Sequence, residues 1–208
     1  MRGSRRLLAA GERALRSAVD MRFVREVTAG TIDGQAYANY LLIEESFVRT
    51  ATRLHGLAVW EAPSWAEVES NARAVHHLVG EQADYFRTAR ASWPARACMT
   101  AEQTERSGAL SEYTLTAARE GGYAAVMTCL FAAETLYYTW CARAHGQGLI
   151  PDGLIADWVA LHATEAFKSG VDALATAVDA LDEPDERLAG WFTGMLAAEI
   201  TFHDSVYG

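Results

Sequence analysis

Three glutamates fall where a helical sequence would carry apolar side chains. In the run Tyr37, Tyr40, Leu41, Glu44, Phe47, Val48, Ala51, steps of three and four put Glu44 at the centre of the apolar stripe, while Glu45 turns toward the flank. The same pattern recurs around Glu134, between Tyr123, Met127, Leu130 and Tyr137, Tyr138, Cys141. It recurs again around Glu199, between Leu188, Trp191, Phe192, Met195 and Phe202, Val206. His162 lies similarly among Ile155, Trp158 and Ala166. An ionised carboxylate in an apolar core is costly unless it is paired, hydrogen-bonded or protonated. Three centred acids, each flanked by aromatics, suggest a polar pocket inside a helical bundle, built from side chains on facing helices. Two carboxylates in one such pocket resist double ionisation, which supplies a base and an acid together. The alternative is that each glutamate pairs with an Arg or Tyr and only supports packing.

The elements that must position these acids read as helices throughout. No run of alternating β-branched residues bounded by Asn-Gly or Asp-Gly appears, and the four prolines sit between long periodic stretches. The periodicity predicts helices over about 4–28, 34–59, 64–91, 100–107, 111–119, 121–145, 152–180 (with a break near Gly170) and 184–206. Asp33 and Ser64 read as N-caps, with Asp152 or Pro151 opening the seventh helix. The expectation is one all-α domain over 1–208, a bundle of seven or eight helices.

Composition narrows the function classes. Half of the 208 residues are apolar, enough for a substantial core, and the net charge is −9 with no dense Lys/Arg run. Contact with nucleic acid or an anionic membrane surface is therefore not expected. No apolar run approaches the length of a membrane span, and the Leu7–Ala10 run is too short for a signal-peptide core. Three cysteines (Cys98, Cys129, Cys141), an odd number in no CxxC arrangement, point to a reduced cytoplasmic chain without a disulfide framework.

Other chemistries find less support. A carboxylate-bridged di-iron oxidase would want Glu-x-x-His pairs, and none exists; His203 follows Glu199 at i+4, where Phe202 holds i+3. His55, His76 and His77 lie off the acid faces and read as surface or structural histidines. Cys129 precedes Glu134 by five residues, so it points elsewhere on its helix and reads as a small core residue. No glycine-rich phosphate loop occurs, and Gly121-Gly122 reads as a helix break. No cofactor or metal is expected. The aromatics Tyr40, Phe47, Tyr113, Tyr137, Tyr138 and Trp158 lie at or near the acid faces and would suit a planar, hydrogen-bonding heterocycle, though such stripes are also ordinary core.

The ordered set Thr31-Ile32, Tyr40-Leu41-Leu42-Ile43-Glu44-Glu45-Ser46-Phe47, Tyr113-Thr114, Ala132-Ala133-Glu134-Thr135-Leu136-Tyr137-Tyr138, Trp158 with His162 and Phe167, and Phe192 with Glu199 and Phe202 resembles the TenA/thiaminase-II family. The resemblance implies a haem-oxygenase-like all-α fold, an oligomer (dimer or tetramer) and binding of aminopyrimidines salvaged from thiamin breakdown. It places Glu44 where the family carries an acid, usually Asp, that anchors the aminopyrimidine ring. It makes Phe47 the replacement of a tyrosine, Tyr113 a ring-contacting tyrosine, Tyr138 a matching tyrosine and His162 the replacement of a late tyrosine. Glu134 stands where many members carry the catalytic cysteine, which resembles the cysteine-less branch and implies hydrolysis of formylaminopyrimidine rather than thiamin cleavage. Glu199 matches the family's general acid/base. Two other readings stay open: a non-catalytic binder of a planar metabolite acting in regulation, and a metal-dependent oxidase of the same fold class. Trp60, Trp65, Trp93 and Ile150, near helix ends, would serve either a subunit interface or burial within one chain.

Overall fold

Helix starts follow local hydrogen-bond chemistry. The Asp33 carboxylate accepts from the Gln35 and Ala36 amides at 2.8 and 3.2 Å, opening α4 (Gly34–Glu61). Ser64 does the same for α5 (Trp65–His77) through the Glu67 amide. Thr100 and Gln103 satisfy each other's backbone amides in a capping box that starts α7 (Ala101–Ser107). The structure, a computed structural model, describes residues 3–151 and 153–208. Asp152 lies outside them; the residue before α9 (Leu154–His162) is Gly153, at φ 137°. The remaining elements are α1 (Gly3–Ala10), α2 (Glu12–Val19), α3 (Arg22–Thr28), a π-helical turn (Leu78–Gln82), α6 (Ala83–Ser92), α8 (Ala109–Gln147), α10 (Glu165–Asp179) and α11 (Asp185–Asp204). The described residues contain no strand, so the all-α expectation holds.

The expected helices are subdivided in several places. The predicted 4–28 helix is three segments, interrupted at Gly11 and at Asp20-Met21. A Cβ on Gly11 would lie 2.5 Å from the Phe192 ring, so the chain passes that ring only as glycine. The predicted 64–91 helix is α5 and α6 joined by the π-helical turn. The break expected near Gly170 occurs instead at Ala163-Thr164, where Thr164 Oγ1 accepts from the Phe167 amide and starts a new helix; Gly170 sits inside α10.

The described chain divides into two compact units, one of residues 3–32 and 127–200, the other of 33–126 and 201–208. In the second, α4 packs on α5 and α6, with Tyr37, Tyr40, Leu41, Leu54 and Phe86 nearly fully buried. Buried Asn39 ties three segments of this unit together. Its Oδ1 accepts from the Cys98 amide (2.8 Å) and from Gln35 Nε2 (3.2 Å), and its Nδ2 donates to the Val206 carbonyl (3.1 Å). In the first unit, α1 and α9 both pack on α10, and the Asp179 carboxylate accepts from the Ser4 amide at 2.7 Å. Trp140 stacks on Trp158 with ring centroids 5.7 Å apart, and Phe131 meets Phe192 at 5.8 Å.

The two helices expected over 111–119 and 121–145 are one kinked element, α8. Gly122 adopts φ 53°, ψ −138°, a conformation open to glycine and strained for other residues. The kink frees amide groups that the preceding turn would have used, and Glu61 at the end of α4 takes one of them: its Oε2 accepts from the Tyr123 amide at 2.7 Å. A Cβ on Gly122 would stand 2.4 Å from that oxygen. Gly122→Ala is therefore expected to destabilise the fold by about 1–3 kcal/mol in urea unfolding. Gly56→Ala, at an exposed helical position with open space around its Cα, should instead stabilise by about 0.5–1 kcal/mol.

Candidate functional site

The helical faces read from the sequence carry their acids as expected in two of three cases. Glu44 on α4 is 7% exposed, one turn from fully buried Tyr40. Glu199 on α11 is 1% exposed. Glu134, on the long buried stretch of α8, is half-buried, as are Tyr137 and Tyr138 beside it. Glu45 turns outward as predicted and forms an ion pair with Arg90.

Glu44, Phe47 and Tyr113 belong to the unit built on α4. There Tyr40 lies stacked against His203, with centroids 5.7 Å apart and planes 25° from parallel, and Phe47 meets Phe202 at 5.9 Å. Tyr113 is half-buried on the first part of α8. Glu134, Tyr138, His162 and Glu199 belong to the other unit. His162, 8% exposed, is enclosed by aromatic rings: Trp158 at 4.1 Å, Phe167 at 4.8 Å and Tyr137 at 5.7 Å between centroids. Its Nδ1 stands 2.7 Å from the Trp158 carbonyl. A carbonyl only accepts, so Nδ1 carries the proton and Nε2 is the basic nitrogen of the neutral ring.

The residue that sequence reasoning passed over is His203. It is completely buried and packed edge-to-face on Phe202 as well as stacked on Tyr40. The available signal was its place one turn after Glu199 on the same apolar stripe. The other histidines behave as read. His55 shares a 2.9 Å hydrogen bond with Asn71, and burial, partly offset by that bond, pushes its pKa down. His77 pairs with Glu81 on the surface. Trp60 and Trp65 are 86% and 74% exposed, whereas Trp93 is held against Tyr37 at 4.6 Å and donates to the Gly34 carbonyl.

The thiols near the acids are unsuited to nucleophilic work. Burial pushes the Cys129 thiol up to about 12. Cys141 is raised well above the ordinary range, by burial first and then by the negative charge of Glu134. Cys98 is exposed. Among the described residues no group of three or more His, Cys, Asp or Glu side chains is placed to share a metal ion, and no helix is long and apolar enough to cross a membrane. Titration of the native protein with a disulfide-exchange reagent should modify one thiol, Cys98, and all three only after denaturation; fast native modification of Cys129 or Cys141 would contradict this account.

No protein-family model matches the chain, and none of the curated proteins compared with it does. Solved structures do. A TenA homologue from P. horikoshii OT3 superposes with a TM-score of 0.84 at 14% identity, over 99% of this chain and 98% of that one. A protein described as a TenA family transcription regulator from Silicibacter sp. TM1040 gives 0.83 at 20% identity, over 97% and 95%. A proposed TenA-like thiaminase from Sulfolobus solfataricus P2 gives 0.75 at 14% identity, over 96% and 93%. The structural likeness thus leads to the same group of proteins as the ordered sequence motifs, and the chain has the fold of the TenA homologues over nearly its whole length.

Proposed function

We propose that this chain is a cytoplasmic TenA-family hydrolase that cleaves the C–N bond of an N-substituted aminopyrimidine, with formylaminopyrimidine as the reference substrate. The observation that carries the reading is the burial of Glu199, 1% exposed, and Glu44, 7% exposed, on faces made mostly of aromatic and aliphatic side chains. The fold likeness to TenA homologues, one of them a proposed thiaminase, supports the substrate class. The high thiol pKa of Cys129 supports acid/base rather than thiolate chemistry.

In this reading Glu44 accepts a hydrogen bond from the ring amino group, with Phe47 and Tyr113 against the ring. One of Glu134 and Glu199 takes a proton from water, and the resulting hydroxide adds to the formyl carbon. The C–N bond then breaks as the other glutamate protonates the leaving amine, giving the aminopyrimidine and formate. Glu199 is assigned the general acid/base role. Tyr138 orients the pair or steadies the oxyanion of the tetrahedral intermediate, and His162, whose Nδ1 proton is held by the Trp158 carbonyl, orients the pair as an acceptor. The fold is also that of a protein described as a transcription regulator, which keeps a regulatory binder as the second reading; a net charge of −9 argues against direct contact with DNA.

Turnover of formylaminopyrimidine should fall about 10²–10⁴-fold in Glu134→Gln and in Glu199→Gln, the usual weight of one general acid or base, with folding preserved by circular dichroism. Undiminished turnover in both variants would remove the proposal. Ligand-induced thermal stabilisation by the aminopyrimidine without turnover of the wild type would favour the binder.

A further inference from the structure

A cavity of about 260 Å³ lies within the unit of residues 33–126 and 201–208. It is half open to solvent and is lined by Ala38, Leu41 and Leu42 of α4, Arg90 of α6, and Trp93, Ala95, Arg96 and Ala97 of the segment after α6. On α4 the positions 38, 41 and 42 line this cavity, and neither Glu44 nor Phe47 is among the lining residues. We propose that this cavity is a second ligand site, for a small organic oxyanion with a single-ring body.

Three observations support it, none of which depends on the hydrolase reading. First, the lining holds two guanidinium groups and no carboxylate, in a chain whose net charge is −9. Local positive charge against an acidic background favours anions at this place. Second, the two arginines differ in state. Arg90 is held by Glu45, which fixes its position but spends most of its charge. Arg96 is exposed, and among the described residues its side chain has no ion pair or hydrogen bond, so its five donors remain for a ligand. Third, the loop carrying Arg96 is fixed before any ligand arrives. Gln35 Nε2 donates to the Arg96 carbonyl at 2.7 Å, Trp93 Nε1 to the Gly34 carbonyl at 2.9 Å, and the Cys98 amide to Asn39 Oδ1 at 2.8 Å. A site on an already ordered loop loses little entropy on binding.

Size sets the ligand class. An apolar cavity of about 150 Å³ admits benzene. The space here therefore takes one ring plus a carboxylate or phosphate, with the ring over Leu41, Leu42 and the alanines and the oxyanion at Arg96. A carboxylate and a phosphate share this chemistry, so both serve as probes.

Isothermal titration calorimetry of the full chain at low salt, with phenyl phosphate, benzoate, inorganic phosphate and benzyl alcohol, tests the site. Wild type should bind phenyl phosphate or benzoate one to one, more tightly than inorganic phosphate, with benzyl alcohol silent; which ring oxyanion binds better identifies the headgroup. Arg96→Gln, whose side chain has no partner to lose, should keep its thermal midpoint and weaken that binding about tenfold or more, as loss of a charge-assisted contact requires. Ala95→Phe, which fills the space and leaves the charge, should weaken it as well. Absence of binding by both ring oxyanions below about 10 mM, inorganic phosphate binding as tightly as phenyl phosphate, or wild-type affinity in Arg96→Gln would each overturn the proposal.

Discussion

Removing a carboxylate from water costs several kcal/mol, even after the surroundings relax. This chain accepts that cost at Glu199 and Glu44, on helix faces where leucine would pack at no such penalty. Each buried acid must either keep its proton or be matched by donors and positive charge, so each dictates the polarity of whatever surrounds it. Both acids stand on long helices, α4 and α11, whose other inward positions are mostly aromatic or aliphatic, with Asn39, Thr50 and His203 the polar exceptions. A rigid apolar scaffold with a few placed ionisable groups is the arrangement that shifts proton affinities away from their values in water. It is the physical reason for reading the acids as functional rather than as accidents of packing.

The helical register was legible because burial repeats every three to four residues. Tyr37, Tyr40, Leu41, Glu44 and Val48 all lie inside, and Glu45 lies at the flank with its own arginine. Caps were legible at Asp33 and Ser64 because a side-chain oxygen beside the first turn has one obvious use. Breaks were harder to see. The need for glycine at position 11 comes from Phe192, more than 180 residues along the chain, and no local pattern encodes that approach. Gly170 looks like a breaker but stays helical, while the true boundary is set by the Thr164 hydroxyl. At Gly122 the local signal was correct about a break and blind to its consequence: the helix resumes at once because a carboxylate from α4 serves the freed amide.

For the candidate site, the sequence carried which face each acid occupies but not how deep it lies. Glu134 has the same apolar flanks as Glu199, yet it is half-buried while Glu199 is closed off. Depth depends on what packs over a helix, which periodicity does not describe. His203 was overlooked for a related reason. A histidine beside a phenylalanine near a chain end resembles a surface residue until its partners, Tyr40 and Phe202, are seen on both sides.

The residues that depart from the family pattern bear on the proposed chemistry in one direction. In the proposed reading Phe47 would bring no hydroxyl to the substrate, and recognition of the ring edge would rest on the Glu44 side chain. His162 has its Nδ1 proton committed to the Trp158 carbonyl and its ring enclosed by Tyr137, Trp158 and Phe167. With Cys129 and Cys141 both held as neutral thiols, the ionisable groups left to this unit near neutral pH are its carboxylates and its imidazoles. Those groups move protons, and none of them is a thiolate. An N-acyl aminopyrimidine asks only for protons to be moved to and from water and the leaving amine, and that match between available groups and required steps is what favours hydrolysis over ring-displacement chemistry.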